Sequence, residues 1–147
     1  MHVFTLPQII LILILAGLIT VVVLSRLTPD DQSLSGAADI LRMHIRHAQT
    51  FSQSYSHMYG LQSSQNIGYF LFEHTPENRI KLPGTEDIYR LSGSMTISSF
   101  TLYFNKEGTP CTDKTGKAPL PHDLTITLQD GIESETITVM PDCGFIG

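Results

Sequence analysis

His44 and His47 are the side chains whose spacing comes nearest to a metal site. They stand one helical turn apart, so both imidazoles could bind a metal together with a third ligand. Arg42 and Arg46 flank them, and two guanidinium groups would repel a divalent cation. The charge pattern favours a polar helix face over a chelate, and the sequence predicts no metal centre.

No other residues form a recognisable catalytic pattern. His57, His74 and His122 are isolated in the sequence, and nothing identifies a nucleophile for any of them. The serines lie in polar stretches without a GxSxG turn, and the chain lacks a P-loop and a dinucleotide-binding glycine pattern. We expect no catalytic residue, no bound cofactor and no enzymatic activity.

The two cysteines, Cys111 and Cys143, are predicted to form a disulfide. The bridge would close a loop of about 30 residues and contribute about 3 kcal/mol in the chain-entropy description. A two-thiol metal site and a redox pair are the alternatives, and the absence of CxxC spacing disfavours both. A disulfide would place this part of the chain in an oxidising compartment.

The N-terminal segment of the chain is apolar and long enough to anchor the protein in a membrane. No charged side chain occurs before Arg26, and about 20 helical residues span about 30 Å, the thickness of a bilayer's hydrocarbon core. We expect residues 1–27 to form a single-pass transmembrane helix and residues 28–147 to form a separate head. A signal peptide cleaved near Ser33 and Ser35 is the alternative, which the length of the apolar run disfavours.

The charge of the head limits its partners and leaves its orientation open. All 14 acidic residues and all basic residues except Arg26 follow Leu27, so the head is net acidic and would repel nucleic acid. We therefore expect no nucleic-acid partner. Arg26 favours a cytoplasmic head by the positive-inside rule, whereas the two cysteines favour an exported one.

One amphipathic helix is predicted over residues 33–60. Thr28 and Pro29 mark a helix start or a kinked continuation of the first helix, and Gly60 suits a left-handed helix end. The apolar positions of the helix recur at steps of three, four or seven and are Leu34, Ala37, Ala38, Leu41, Ile45, Ala48, Tyr55 and Tyr59.

A β-sheet is predicted over residues 66–147, because the apolar period changes from 3.6 to 2. The predicted strands are residues 67–72, 87–91, 95–104, 123–128 and 135–139, and the longest loop is 106–121. Asp130-Gly131 predicts a hairpin between the last two strands. The fold class is therefore α+β, with an N-terminal transmembrane helix that continues or kinks into an amphipathic helix packed on an antiparallel sheet.

Three short segments resemble the type IV pilin-like superfamily. Phe4-Thr5-Leu6 before a long apolar run is similar to the start of mature pilins and pseudopilins. Residues 104–110 are similar to a Phe-x-x-x-Gly-x-Pro strand and turn, and residues 141–146 to a closing Pro-x-Thr-Gly-Tyr/Phe-Ile strand. Within the superfamily, the chain resembles the minor pseudopilin H and FimT-type domain, and more narrowly the minor pilins of mannose-sensitive haemagglutinin (MSHA) pili.

The resemblance implies a structural minor pilin or pseudopilin. Such a subunit would have a cytoplasmic N-terminus and a periplasmic head, and would assemble from the inner membrane with other pilin-like subunits on an assembly platform. Its filament would be an MSHA-like type IV pilus or a type II secretion pseudopilus. The alternative is a membrane-anchored binding domain, such as a pilus-borne adhesin or a DNA-uptake subunit.

Two positions depart from the family's N-terminal pattern. Val3 stands where the family has the glycine that precedes peptidase cleavage, and Gln8 stands where it has a glutamate. The resemblance implies that a glutamate at this position would pair with the terminal amine of a neighbouring subunit, whereas Gln8 offers only a neutral hydrogen bond. A subunit at the tip or one that initiates assembly would tolerate that loss.

Overall fold

The computed structural model describes Ile10 and residues 33–142 and 146–147. Within residues 33–142, helix α1 spans Leu34–Tyr55. Ser33 caps it, because the Ser33 hydroxyl accepts a hydrogen bond from the Gly36 N–H at 3.2 Å. Ser56 ends it in the left-handed conformation, with φ of 55°. The helix was predicted to end at Gly60, and that prediction is wrong because the chain turns four residues earlier into a strand.

Nine strands follow within the described residues, and all their pairings are antiparallel. They are β1 (Tyr59–Ser64), β2 (Gly68–Glu73), β3 (Arg79–Ile80), β4 (Tyr89–Arg90), β5 (Thr96–Ile97), β6 (Thr101–Phe104), β7 (Pro110–Cys111), β8 (Leu124–Asp130) and β9 (Glu133–Val139).

The strands form two sheets, where one was predicted. The larger has the order β3-β2-β1-β6-β7, with β4 also paired to β2, and the smaller has the order β5-β8-β9. The larger sheet begins at Tyr59, seven residues before the predicted start, so Tyr59 and Gly60 belong to β1 and not to the helix. The predicted strand 95–104 is divided, because β5 pairs with β8 and β6 pairs with β1.

Helix α1 packs on strands of both sheets and covers a common core. The predicted apolar face is confirmed in its central part, where Ala37, Ala38, Leu41, Ile45 and Ala48 are fully buried. Tyr55, predicted to continue that face, is 59% exposed. The sheets contribute alternate side chains of their strands, among them Leu61, Leu102, Phe104, Ile126, Leu128, Ile137 and Val139.

The hairpin between β8 and β9 is confirmed. Leu124 pairs with Val139 at one end and Asp130 with Glu133 at the other, so Gly131 and Ile132 form a two-residue turn. Gly131 has φ of 60°, which suits the first position of such a turn. Ile126 and Leu128 are buried as the alternation with threonine predicts.

The predicted loop 106–121 contains strand β7, which pairs with β6 through Tyr103 and Cys111. The Cys111 thiol is buried and lies 3.3 Å from the Thr109 carbonyl oxygen. Cys143 lies outside the described residues, so the disulfide stays a prediction.

The predicted transmembrane helix, residues 1–27, also lies outside the described residues, apart from Ile10. In the part that is described, no helix has both the length and the apolar character needed to cross a membrane. Residues 32–147 form a compact unit of their own.

Candidate functional site

His44 is the centre of a buried polar cluster between helix α1 and the larger sheet. Its helical spacing from Leu41 and Ala48 turns it towards the core, and it is only 2% exposed. Its Nδ1 atom lies 2.8 Å from the hydroxyl of Tyr69 on β2. The rings of Tyr69 and Tyr89 contact it edge-on, at centroid distances of 5.7 and 5.3 Å. The assignment of His44 to a polar helix face is wrong, because its side chain is buried.

Burial controls the charge of this cluster. Desolvation, reinforced by the nearby His47, lowers the pKa of His44 to about 4, so the imidazole is neutral at pH 7. Burial also raises the pKa of Tyr69 far above its ordinary range, so the phenol keeps its proton. A neutral imidazole can accept the phenol's hydrogen bond, which satisfies both buried groups.

His47 does not join His44 as a second ligand on an open surface. It is half-buried and lies against the ring of Phe51 at a centroid distance of 4.0 Å. Burial lowers the pKa of His47 as well. Both imidazoles therefore pack against aromatic rings of the head.

A second cluster, formed by His57, Glu73 and His74, lies at the surface near the end of helix α1. We call it the His-Glu cluster. The Nδ1 atom of His57 lies 2.6 Å from Oε1 of Glu73, and the Nδ1 atom of His74 lies 3.9 Å from the same oxygen. The two imidazole rings lie 5.4 Å apart. Each residue offers one ligand-type atom, and these atoms all lie within 4.8 Å of one another.

The pairing of β1 with β2 brings these distant residues together. Tyr59 is the register partner of Glu73, and the N–H of His74 donates a hydrogen bond to the Met58 carbonyl at 2.8 Å. His57 precedes Met58, so it lies beside the end of β2. His74 has φ of 62°, a left-handed backbone that turns the chain away from β2.

A cavity of about 500 Å³ adjoins the His-Glu cluster. His57 and His74 line it together with residues of the segments 105–107 and 114–117. The charged members of those segments are Lys106, Glu107, Lys114 and Lys117. The cavity therefore carries charged side chains of both signs.

Sequence reasoning missed the His-Glu cluster because its histidines lie 17 positions apart. The signal that could have found them is a strand at residues 59–64, whose pairing with β2 fixes the register. Ser52 was also misjudged, since it was assigned to a polar stretch and is fully buried.

The residues of the predicted N-terminal motif, Phe4, Thr5, Leu6 and Gln8, lie outside the described residues. So does Cys143, whereas Cys111 is buried beside strand β6. The N-terminal motif and the Cys111–Cys143 disulfide therefore stay predictions. No catalytic, cofactor-binding or metal-binding residue was predicted from the sequence.

Comparison with known proteins identifies the fold through structure alone. No family model matches the sequence, and no curated protein is detectably similar to it. Two crystal forms of the type IV minor pilin FimU from Pseudomonas aeruginosa strain PAO1 are similar, with TM-scores of 0.53 and 0.54 and identities of 15% and 16%. The minor pseudopilin EpsH from the type 2 secretion system of Vibrio cholerae is similar with a TM-score of 0.57 and 8% identity.

These similarities extend over most of each molecule. They cover 78% of this chain in every case, 86% and 90% of the two FimU chains, and 94% of the EpsH chain. At such low identities they establish the fold, and the chain has the pilin-like α+β fold. The α+β fold that the resemblance implies is confirmed, while the narrower likeness to MSHA minor pilins stays a prediction.

Proposed function

We propose that this chain is a non-enzymatic filament subunit, a minor pilin or minor pseudopilin. The observation that carries the proposal is a single helix, Leu34–Tyr55, packed on antiparallel sheets in the arrangement of FimU and EpsH. Both of those proteins are named as minor pilin-type subunits. A subunit that works by packing against its neighbours needs a well-filled head and no catalytic centre.

The N-terminal segment supports a membrane origin for the subunit. It is long enough to cross a bilayer, and its Phe4-Thr5-Leu6 start is similar to that of mature pilins. In this proposal, residues 1–27 lie in the inner membrane with the N-terminus in the cytoplasm. The head lies in the periplasm, where Cys111 and Cys143 can form a disulfide.

The partners are other pilin-like subunits and the inner-membrane platform that assembles them. The filament is an MSHA-like type IV pilus or a type II secretion pseudopilus. Gln8 supports a position at the tip or in initiation, because it cannot form the charged contact expected of the family's glutamate. A subunit at the end of a filament lacks one neighbour and loses least from that change.

The experiment is a filament-shearing assay on the tagged full-length chain in its own host. We expect the chain in the membrane fraction, with a head that added protease cleaves only once the outer membrane is opened. A small amount should copurify with sheared filaments. The matched control is Ile12→Arg, which costs about 3 kcal/mol at a bilayer centre and leaves the head unchanged.

Two outcomes separate the parts of this proposal. Recovery of the full-length chain as a soluble cytoplasmic protein would contradict the membrane anchor and the subunit role together. Gln8→Glu tests the position, since restoring the carboxylate should raise the number of copies per filament. An unchanged copy number would contradict the link between Gln8 and the filament tip.

A further inference from the structure

We propose that the His-Glu cluster binds one divalent transition-metal ion, with Zn²⁺ as the best-fitting ion. His57 and His74 would each supply an imidazole nitrogen and Glu73 a carboxylate oxygen. Two histidines and one carboxylate are a donor set that zinc accepts, with a fourth position left for water or another ligand. The proposal concerns the head alone and does not depend on filament assembly.

The distances within the cluster are close to those of a tetrahedral site. Zinc bonds of about 2.0–2.1 Å at tetrahedral angles separate ligand atoms by about 3.3 Å. The observed separations from Glu73 Oε1 are 2.6 Å for His57 and 3.9 Å for His74, one shorter and one longer than that value. Side-chain rotation alone can equalise them, because the His57 and His74 side chains are 54% and 60% exposed.

The backbone beneath the cluster is already fixed. The ladder between β1 and β2 ends at the Tyr59–Glu73 pair, and the His74 N–H bonds the Met58 carbonyl one step beyond it. The Glu73 N–H donates a hydrogen bond to the Asn78 carbonyl at 2.9 Å, which fixes the backbone of Glu73 against the segment that follows β2. The ligands therefore need no new backbone order, which lowers the entropic cost of binding.

Glu73 also has a partner that can orient it. The Asn78 side-chain amide lies 3.5 Å from Oε2, the oxygen that does not contact His57. Support of this kind around a metal ligand commonly affects affinity. One carboxylate oxygen then faces both histidines while the other faces Asn78.

The donor atoms of the His-Glu cluster and the charges around it determine which class of metal ion it would bind. Two imidazole nitrogens favour zinc and its transition-metal neighbours over Ca²⁺ and Mg²⁺, which prefer oxygen ligands. Lys106, Lys114 and Lys117 line the adjoining cavity and weaken the attraction for a free cation. The same lysines favour an anion in the fourth position once the metal is bound.

A simple ion pair between His57 and Glu73 is the competing explanation. It accounts for the 2.6 Å contact, but it gives His74 no role in the cluster. The two explanations differ in one respect that can be measured. A metal site needs His74 as much as it needs His57.

The test is isothermal titration of the full-length chain in detergent with ZnCl₂, after the chain has been freed of metal with a chelator. We expect one equivalent to bind. His57→Gln, His74→Gln and Glu73→Gln should each weaken binding by about tenfold or more, since even supporting residues around a metal commonly matter that much. His122→Gln is the matched control, because it removes an exposed histidine outside the cluster and should leave the affinity unchanged.

Titration with Co²⁺ identifies the ligand atoms. Binding through nitrogen and oxygen should give visible bands without the strong near-ultraviolet band of a cobalt–thiolate bond. Circular dichroism checks that each variant is folded, and three separate ligand variants keep the test decisive if one is not. An affinity unchanged by His74→Gln, a thiolate band or no measurable binding would each overturn the proposal.

Discussion

Acidification should destabilise the head through the buried imidazole of His44. Protonating His44 in the folded protein would place a charge in the core and remove its ability to accept a hydrogen bond from Tyr69. In the unfolded chain the imidazole is in water and takes up a proton freely. The perturbation is a decrease in pH from 7 to 4, applied to the wild type and to His44→Gln.

The magnitude follows from the difference between the two pKa values of His44. Burial lowers the folded pKa from 6.5 to about 4, and each pH unit between them is worth about 1.4 kcal/mol. The unfolded state binds more protons in that window, so the free energy of unfolding falls as the pH drops from 6.5 to 4. The total loss attributable to His44 is about 3 kcal/mol, and it levels off below pH 4.

The assay is urea denaturation of the full-length chain in detergent at pH 7, 6, 5 and 4. The chain has no tryptophan, so helical circular dichroism is the signal to follow. His44→Gln keeps a side chain that can accept a hydrogen bond from Tyr69 and cannot titrate. Carboxylates titrate in both proteins, so the difference between wild type and variant isolates the contribution of His44.

His122→Gln makes the same chemical change at an exposed position and controls for the loss of an imidazole as such. The stability advantage of the wild type over His44→Gln should shrink by about 3 kcal/mol between pH 7 and pH 4. A difference that stays constant to within about 1 kcal/mol across this range would refute the reasoning. It would mean that His44 is protonated in the folded state as readily as in the unfolded one.

Three further changes test the packing of the head and its predicted bridge. Ser52→Ala should lower the free energy of unfolding, measured by urea denaturation, by about 1–3 kcal/mol. The reason is that the buried Ser52 hydroxyl donates a hydrogen bond to the Phe104 carbonyl and accepts one from the Tyr59 N–H. The exposed control Ser54→Ala should leave the free energy of unfolding nearly unchanged. Gly60→Ala should lower the free energy of unfolding by about 1–3 kcal/mol and with it the melting temperature, because a Cβ at this position would collide with the Leu102 carbonyl and the Phe72 ring. An unchanged melting temperature would contradict that packing. Reduction of the predicted Cys111–Cys143 bridge should cost about 3 kcal/mol, and two free thiols counted in the native oxidised protein would show that no bridge exists.

The sequence alone was sufficient to predict those elements whose local residue pattern agrees with their place in the fold. The β8–β9 hairpin has threonines alternating with Ile126 and Leu128, and a glycine at the turn, so strand period and turn chemistry point to one structure. The buried face of helix α1 was predicted equally well, because alanine and leucine recur there at helical spacing. Strands β8 and β9 and the central part of helix α1 could therefore be predicted without knowing how they pair.

The elements that the sequence did not reveal are held by partners along the larger sheet. Strand β1 begins Tyr-Gly-Leu and ends in two serines, a composition with little strand propensity. It is a strand because β2 and β6 pair with it on either side. The break between β5 and β6 is likewise invisible in residues 95–104, because only pairing decides to which sheet each half belongs.

The candidate site was hidden for the same reason. His57 was predicted to lie inside the helix, where its neighbours would have been residues three and four positions away. Ending the helix at Ser56 and starting a strand at Tyr59 places His57 beside Glu73 and His74 instead. An error of four residues in one helix end was enough to conceal the cluster.

The junction between α1 and β1 therefore connects the core to the surface cluster. The Ser52 hydroxyl accepts a hydrogen bond from the Tyr59 N–H, which fixes the point where the chain leaves the helix and enters the sheet. Tyr59 is in turn the register partner of Glu73, so the buried Ser52 near the end of the helix helps to position the Glu73 carboxylate. The backbones of the two exposed histidines cannot separate without breaking the hydrogen bond between His74 and Met58 at the end of the β1–β2 ladder. A surface cluster of this kind is positioned by the interior of the head, and this is why its geometry follows from the fold although its residues are scattered in the sequence.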